Sequence, residues 1–133
     1  MLLLADVFFF VFHTGLMAFN GLGWMFRRTR RWTLYTLLAT GFSWFVMGLW
    51  NGIGYCVCTD IHMGVRRARG IKDTAETYVQ LVVQVLTGQT ITADAASTFT
   101  GGAFAVSFLG CLALVLKDRR GANAEMPRQP YSQ

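Results

Sequence analysis

Three polar side chains, Asp6, His13 and Asn20, stand seven residues apart in an otherwise apolar run. Seven steps of 100° bring a helix back to within about 20° of its start, so all three fall on one stripe. Facing lipid would cost an ionised group at least ~2.5 kcal/mol, so the stripe must face protein, water or a ligand. The chemistry open to it is a buried hydrogen-bond network, a proton or quinone site, or a His13 imidazole ligating a tetrapyrrole metal. Asp6 and His13 are separated by about 10 Å along a helix axis, too far to bond each other. They need groups from the second and third apolar runs, or water. A tight hairpin would set Asp6 level with Asn51 and Gly52, and His13 level with Ser43 and Trp44.

A second group follows. Cys56, Cys58, Asp60 and His62 alternate at every second residue, and all four are metal-ligand types. On a strand they would share a face but stretch over roughly 20 Å, and one ion with bonds of ~2.3 Å cannot collect them without a sharp reversal. No C-x-x-C pair supports a closed site, so the spacing predicts no metal and a tight turn capped by Thr59 and Asp60. Cys111 lies too far along the chain, near the opposite end of the third run, to bridge that pair.

The elements that must position these groups are set by composition. Of 133 residues, 53% are hydrophobic and only 14% charged, the wrong balance for a water-soluble domain of this size. Residues 2–26 and 32–55 are two long apolar runs joined by the cations Arg27, Arg28, Arg30 and Arg31. A third, 95–116, begins after a capping Thr92 and ends at Lys117, Arg119 and Arg120. Each exceeds the ~20 residues needed to cross a ~30 Å hydrocarbon core. Segment 56–91 is broken too often by charge to span. Within it Asp73 and Glu76 read as a helix start and Gly88 as its stop, with Ala75, Val79, Val82 and Leu86 at helical spacing. A strand over the Val-rich 78–86 stays open. The expectation is an all-α membrane protein: three transmembrane helices, one short amphipathic helix at 73–87 on the outer side, one bundle over 1–120, and a flexible tail over 121–133.

The net charge of +5 is spent on topology and not on nucleic acid, because the cations cluster beside the apolar runs. Eight (Arg27, Arg28, Arg30, Arg31, Lys117, Arg119, Arg120, Arg128) fall on one side and four (Arg66, Arg67, Arg69, Lys72) on the other. The expected orientation puts the N-terminus outside and the C-terminus in the cytoplasm. The arginines read as contacts to lipid headgroups or to a partner, Trp24, Trp32, Trp44 and Trp50 as interface belt and core filling, and Gly41, Gly48, Gly101, Gly102 and Gly110 as points of close helix approach.

Ala5, Asp6 and His13, then Gly23 and Trp24, then Gly48, Leu49 and Trp50, then Gly54, Tyr55, Cys56 and Thr59 form a pattern. It resembles the small bacterial inner-membrane proteins of the domain of unknown function 2784 family, over most of residues 1–117. In that family Pro and Leu follow the Cys, where this chain has Val57 and Cys58. The resemblance implies the membrane fold and assigns no reaction. The function expected from the inventory is an accessory or structural subunit of a larger respiratory or photosynthetic membrane complex, with the bilayer and other membrane subunits as partners and no catalysis of its own. The alternative is a small redox or cofactor-binding protein using Asp6 and His13 for a quinone, a proton or a tetrapyrrole.

Overall fold

The computed structural model describes residues 1–72 and 75–124. Helix α1 covers Leu2–Leu22 and runs through a 3-10 turn, Gly23–Met25, into the basic turn. The second span starts as α2, Arg30–Phe42, passes through a π-helical turn at Ser43–Met47, and ends as a short α3, Gly48–Asn51. Two helices that lie outside the three spans follow, the outer helices α4 (Val57–Ala68) and α5 (Tyr78–Thr87), named for that place alone, and then the long α6 (Ala93–Ala124). Leu2–Met25, Arg30–Asn51 and Ala93–Gly121 are long and apolar enough to cross a membrane, so the protein is an all-α membrane protein with three spans. Their outer faces carry Phe8, Phe12, Tyr35, Phe42, Phe99, Val106 and Leu109, all exposed, as a bilayer requires and water does not tolerate.

Several boundaries differ from the sequence expectation. The second span stops at Asn51 and not at residue 55, because Gly52 (φ 100°) and Gly54 (φ 89°) turn the chain through a region closed to most L side chains. The segment between the second and third spans holds two helices where spacing predicted one: the turn expected over Cys56 to His62, capped by Thr59 and Asp60, is replaced by α4, and Asp60 lies in its first turn. The predicted start at Asp73 lies outside the described residues. The helix there begins with a capping box at Thr77 and Gln80, whose backbone N–H groups bond each other's side chains at 2.9 and 3.3 Å, and ends at Gly88 (φ 71°) as expected. It is helix over the stretch where a strand stayed open. Thr92 does cap the third span, accepting from the Ala95 N–H at 3.2 Å, but α6 continues past 116 to Ala124, and the rest of the expected tail lies outside the described residues.

Apolar packing is concentrated at the basic end. Leu37, Cys111 and Val115 are buried there among Trp24, Leu34, Phe104 and Phe108. A Cβ on Gly110 would stand 3.2 Å from the Trp24 ring and one on Gly41 3.3 Å from Phe104, so these two glycines permit close approach. Gly101 and Gly102 have nothing within 4 Å and do not. The two basic clusters meet at this end: Arg30, with only 8% of its side chain exposed, bonds Asp118 on α6 at 2.5 Å and the Trp24 carbonyl at 3.0 Å. Arg30 is therefore an internal clamp between spans and not a headgroup contact, whereas Arg27, 83% exposed and 3.8 Å from Asp118, stays at the surface with Arg28 and Arg31.

Candidate functional site

The polar stripe is divided among three neighbours. Asn20 donates to Thr40 Oγ1 at 3.1 Å and accepts from Thr36 Oγ1 at 2.6 Å, so it faces the second span as expected. Asp6 and His13 do not. They meet the outer helices, and the expectation that the second and third spans would complete them is corrected.

Buried Asp6 accepts from Arg69 and, at 3.4 Å, from Arg66, and its Oδ1 lies 2.6 Å from His62 Nε2. His62 and Arg66 on α4 and Arg69, its C-cap, stand at i, i+4 and i+7, one face of the helix. The amphipathic helix thus lays its charged stripe inward onto a carboxylate in the first span. Arg66 and Arg69, expected at lipid headgroups, serve this buried pair; Arg67 points out, 70% exposed and 4.0 Å from Asp60. A buried carboxylate is tolerable only with such partners.

His13 is 95% buried, the complement of its 5% exposure, and stacks on Tyr78 of α5 with centroids 3.9 Å apart and planes at 21°. The Tyr78 hydroxyl donates to the Phe10 carbonyl at 2.8 Å, which leaves Thr14 as donor to it at 2.9 Å. On its other side His13 Nε2 lies 3.7 Å from Cys56 Sγ, while Nδ1 is buried with no hydrogen-bond partner among the described residues.

Cys56 is brought there by the irregular end of the second span. Ser43, first residue of the π turn, donates to the Tyr55 carbonyl at 3.0 Å and accepts from the Val57 N–H at 3.5 Å, while the Gly54 N–H bonds the Trp44 carbonyl at 3.2 Å. Gly48 permits the fold-back, since a Cβ on it would sit 3.2 Å from the Ile53 backbone. Cys58 is half-buried beside Cys56; burial first, then Cys56 next to it and a hydrogen bond to Cys56, push its thiol above the ordinary value. Tyr55 donates to Asp60 at 3.0 Å, and that bond raises its phenol pKa. Asp60 is exposed, and Thr59 half-buried. Among the described residues no group of three or more His, Cys, Asp or Glu stands close enough to hold a metal ion.

Between α1, the second span, the outer helices and α6 lies an open cavity of about 1460 Å3. Its lining includes the apolar Leu16, Met17, Trp44, Phe104 and Phe108, the polar His13, Asn20, Thr40, Tyr55, Cys56 and Thr59, and the charged Asp60, Arg67, Lys72 and Glu76.

A family model described as Protein of Unknown function (DUF2784) matches residues 3–113. The chain belongs to this family. No curated protein and no solved structure matches it. The DUF2784 match takes in every side chain around Asp6, His13 and the cavity, and stops short of Asp118. Within this DUF2784 chain the sequence reading missed Tyr78 and Asp118, and it looked to the second and third spans or water, not to the group from Cys56 to His62, for the partners of Asp6 and His13. Both are reached, His62 touching Asp6 and Cys56 touching His13. The signal for α4 was present as the i, i+4, i+7 spacing of His62, Arg66 and Arg69, obscured by the coincident alternation of Cys56, Cys58, Asp60 and His62. No signal of spacing marks Tyr78.

Proposed function

We propose that this protein binds a lipid-soluble molecule of the quinone class in the cavity, with the polar ring near His13 and Cys56 and the apolar chain among Leu16, Met17, Phe104 and Phe108. The carrying observation is the lining itself, a cavity of about 1460 Å3 whose walls combine the apolar Leu16, Met17, Trp44, Phe104 and Phe108 with polar groups that include His13, Asn20, Thr40 and Cys56. Concave, mostly apolar sites with sparse polar groups are the usual form of small-molecule sites. The lining carries Arg67 and Lys72 against Asp60 and Glu76, so its formal charge cancels, which favours an uncharged carbonyl head over a phosphate. Asp6, committed to Arg66, Arg69 and His62, takes no part in binding; it holds α4 as one wall.

The test uses the full chain in mild detergent and a short-chain ubiquinone analogue as probe. Trp44 lines the cavity, so saturable quenching of tryptophan fluorescence is expected, mostly lost in Trp44→Phe and weakened at least tenfold in His13→Leu. Quenching that rises without saturation in all three would reflect partition into detergent and would end this reading. If saturable binding is absent and the chain instead purifies stoichiometrically with a larger membrane assembly, the accessory-subunit function takes its place.

The proposed setting is a bacterial inner membrane with the N-terminus outside, supported by the excess of cations at the Arg30–Asp118 end. Labelling of intact cells from outside should reach Cys56 or Cys58 and not a cysteine introduced at Thr29. The reverse pattern would invert the topology.

A further inference from the structure

We propose that Cys56 and Cys58 are a redox pair that delivers two electrons to the cavity's ligand, with His13 as the base for Cys56. This rests on the quinone-class reading above and adds a reaction to it. Cys56 lines the cavity, and its Sγ stands 3.7 Å from His13 Nε2, within reach for a thiol–imidazole contact. The imidazole is held rather than free to turn, stacked on Tyr78, itself fixed by bonds to Phe10 and Thr14. Cys58 is a second free thiol two residues on, half-buried behind the first. Val57 between them opens α4 in helical conformation. Helix geometry then sets the Cα atoms of Cys56 and Cys58 about 5.4 Å apart, inside the range of about 4.4–6.8 Å that a disulfide spans.

The step balances. The S–H bonds of Cys56 and Cys58 break and one S–S bond forms. Two electrons and two protons pass to the quinone, which leaves as hydroquinone. His13 Nε2 takes the Cys56 proton first, because the thiolate and not the thiol is the reactive form. Cys111 is outside this chemistry: it is buried in the core with its Sγ on the Arg30 carbonyl at 3.3 Å, so it serves as an internal reference.

The experiment uses the reduced full-length chain in mild detergent, freed of reductant and oxygen, mixed with the short-chain ubiquinone analogue. Expected are two thiols lost per quinone reduced, a Cys56–Cys58 link found by peptide mass mapping, and an untouched Cys111. Cys56→Ser and Cys58→Ser should each abolish quinone reduction, and in Cys58→Ser, whose thiol stands apart from the proposed ring contacts, the saturable quenching of Trp44 should persist, which also shows that this variant folds. His13→Gln should slow thiol loss at least tenfold at neutral pH and recover toward wild type at pH 9, a dependence that lost packing would not produce. Saturable quenching with every thiol intact would overturn the redox inference and leave the binding reading standing. Absence of saturable quenching in the wild-type chain would overturn both.

Discussion

Asp6 on α1 and His62 on α4 meet with Oδ1 and Nε2 2.6 Å apart, both buried, and this contact joins the first span to a helix too polar to enter the bilayer alone. Arg66 and Arg69 complete the same carboxylate. Without the Asp6 carboxylate, His62, Arg66 and Arg69 would lose the acceptor they share.

Replacing Asp6 by Asn should therefore cost about 3–5 kcal/mol, the usual penalty for breaking a buried ion pair from one side. Asp60→Asn, at an exposed residue that meets Arg67 at 4.0 Å and the Tyr55 hydroxyl, should stay within about 1 kcal/mol. Denaturant titration in detergent micelles compares them, and equal effects would refute the anchoring role of Asp6.

At the opposite end, Arg30→Met should lower stability by a few kcal/mol through the stranded Asp118 and Trp24 carbonyl, while Arg28→Met should change it by less than about 0.5 kcal/mol. Thermal unfolding separates them. Similar melting temperatures would return Arg30 to the surface role expected from sequence.

Tyr78→Phe keeps the ring on His13 and removes the hydroxyl that bonds Phe10 and Thr14. The expected loss is about 1 kcal/mol, with quinone-analogue affinity within twofold of wild type. Tyr78→Ala, which frees the His13 ring, should weaken binding by an order of magnitude in the same fluorescence titration.

Cys58 should alkylate late. Burial is the largest cause of its raised thiol, so in a Cys56→Ser, Cys111→Ser background, where burial remains, iodoacetamide should react with a midpoint above the ordinary thiol value. For stability the sign is fixed: with the folded pKa above the unfolded one, the contribution is full below the unfolded pKa and falls as pH rises through the folded one. A midpoint at or below that of a free cysteine would contradict the burial.

Three spans, the basic turn, the Thr92 cap and the Gly88 stop follow from the sequence alone, because each depends on local length, hydropathy or backbone freedom. The helical period also placed Asp6, His13 and Asn20 on one stripe, and the need to satisfy them in hydrocarbon required partners. Which partners they have is a tertiary matter. Asn20 found the adjacent antiparallel span, as a hairpin dictates. Asp6 and His13 lie further from the hairpin, where the π turn and the positive-φ glycines end the second span early and fold Cys56 back on His13. The space so released admits α4 and α5, and with them His62, Arg66, Arg69 and Tyr78, residues 56 to 72 positions from Asp6 in the chain. No period within one helix encodes such a meeting; it arises only when the elements pack.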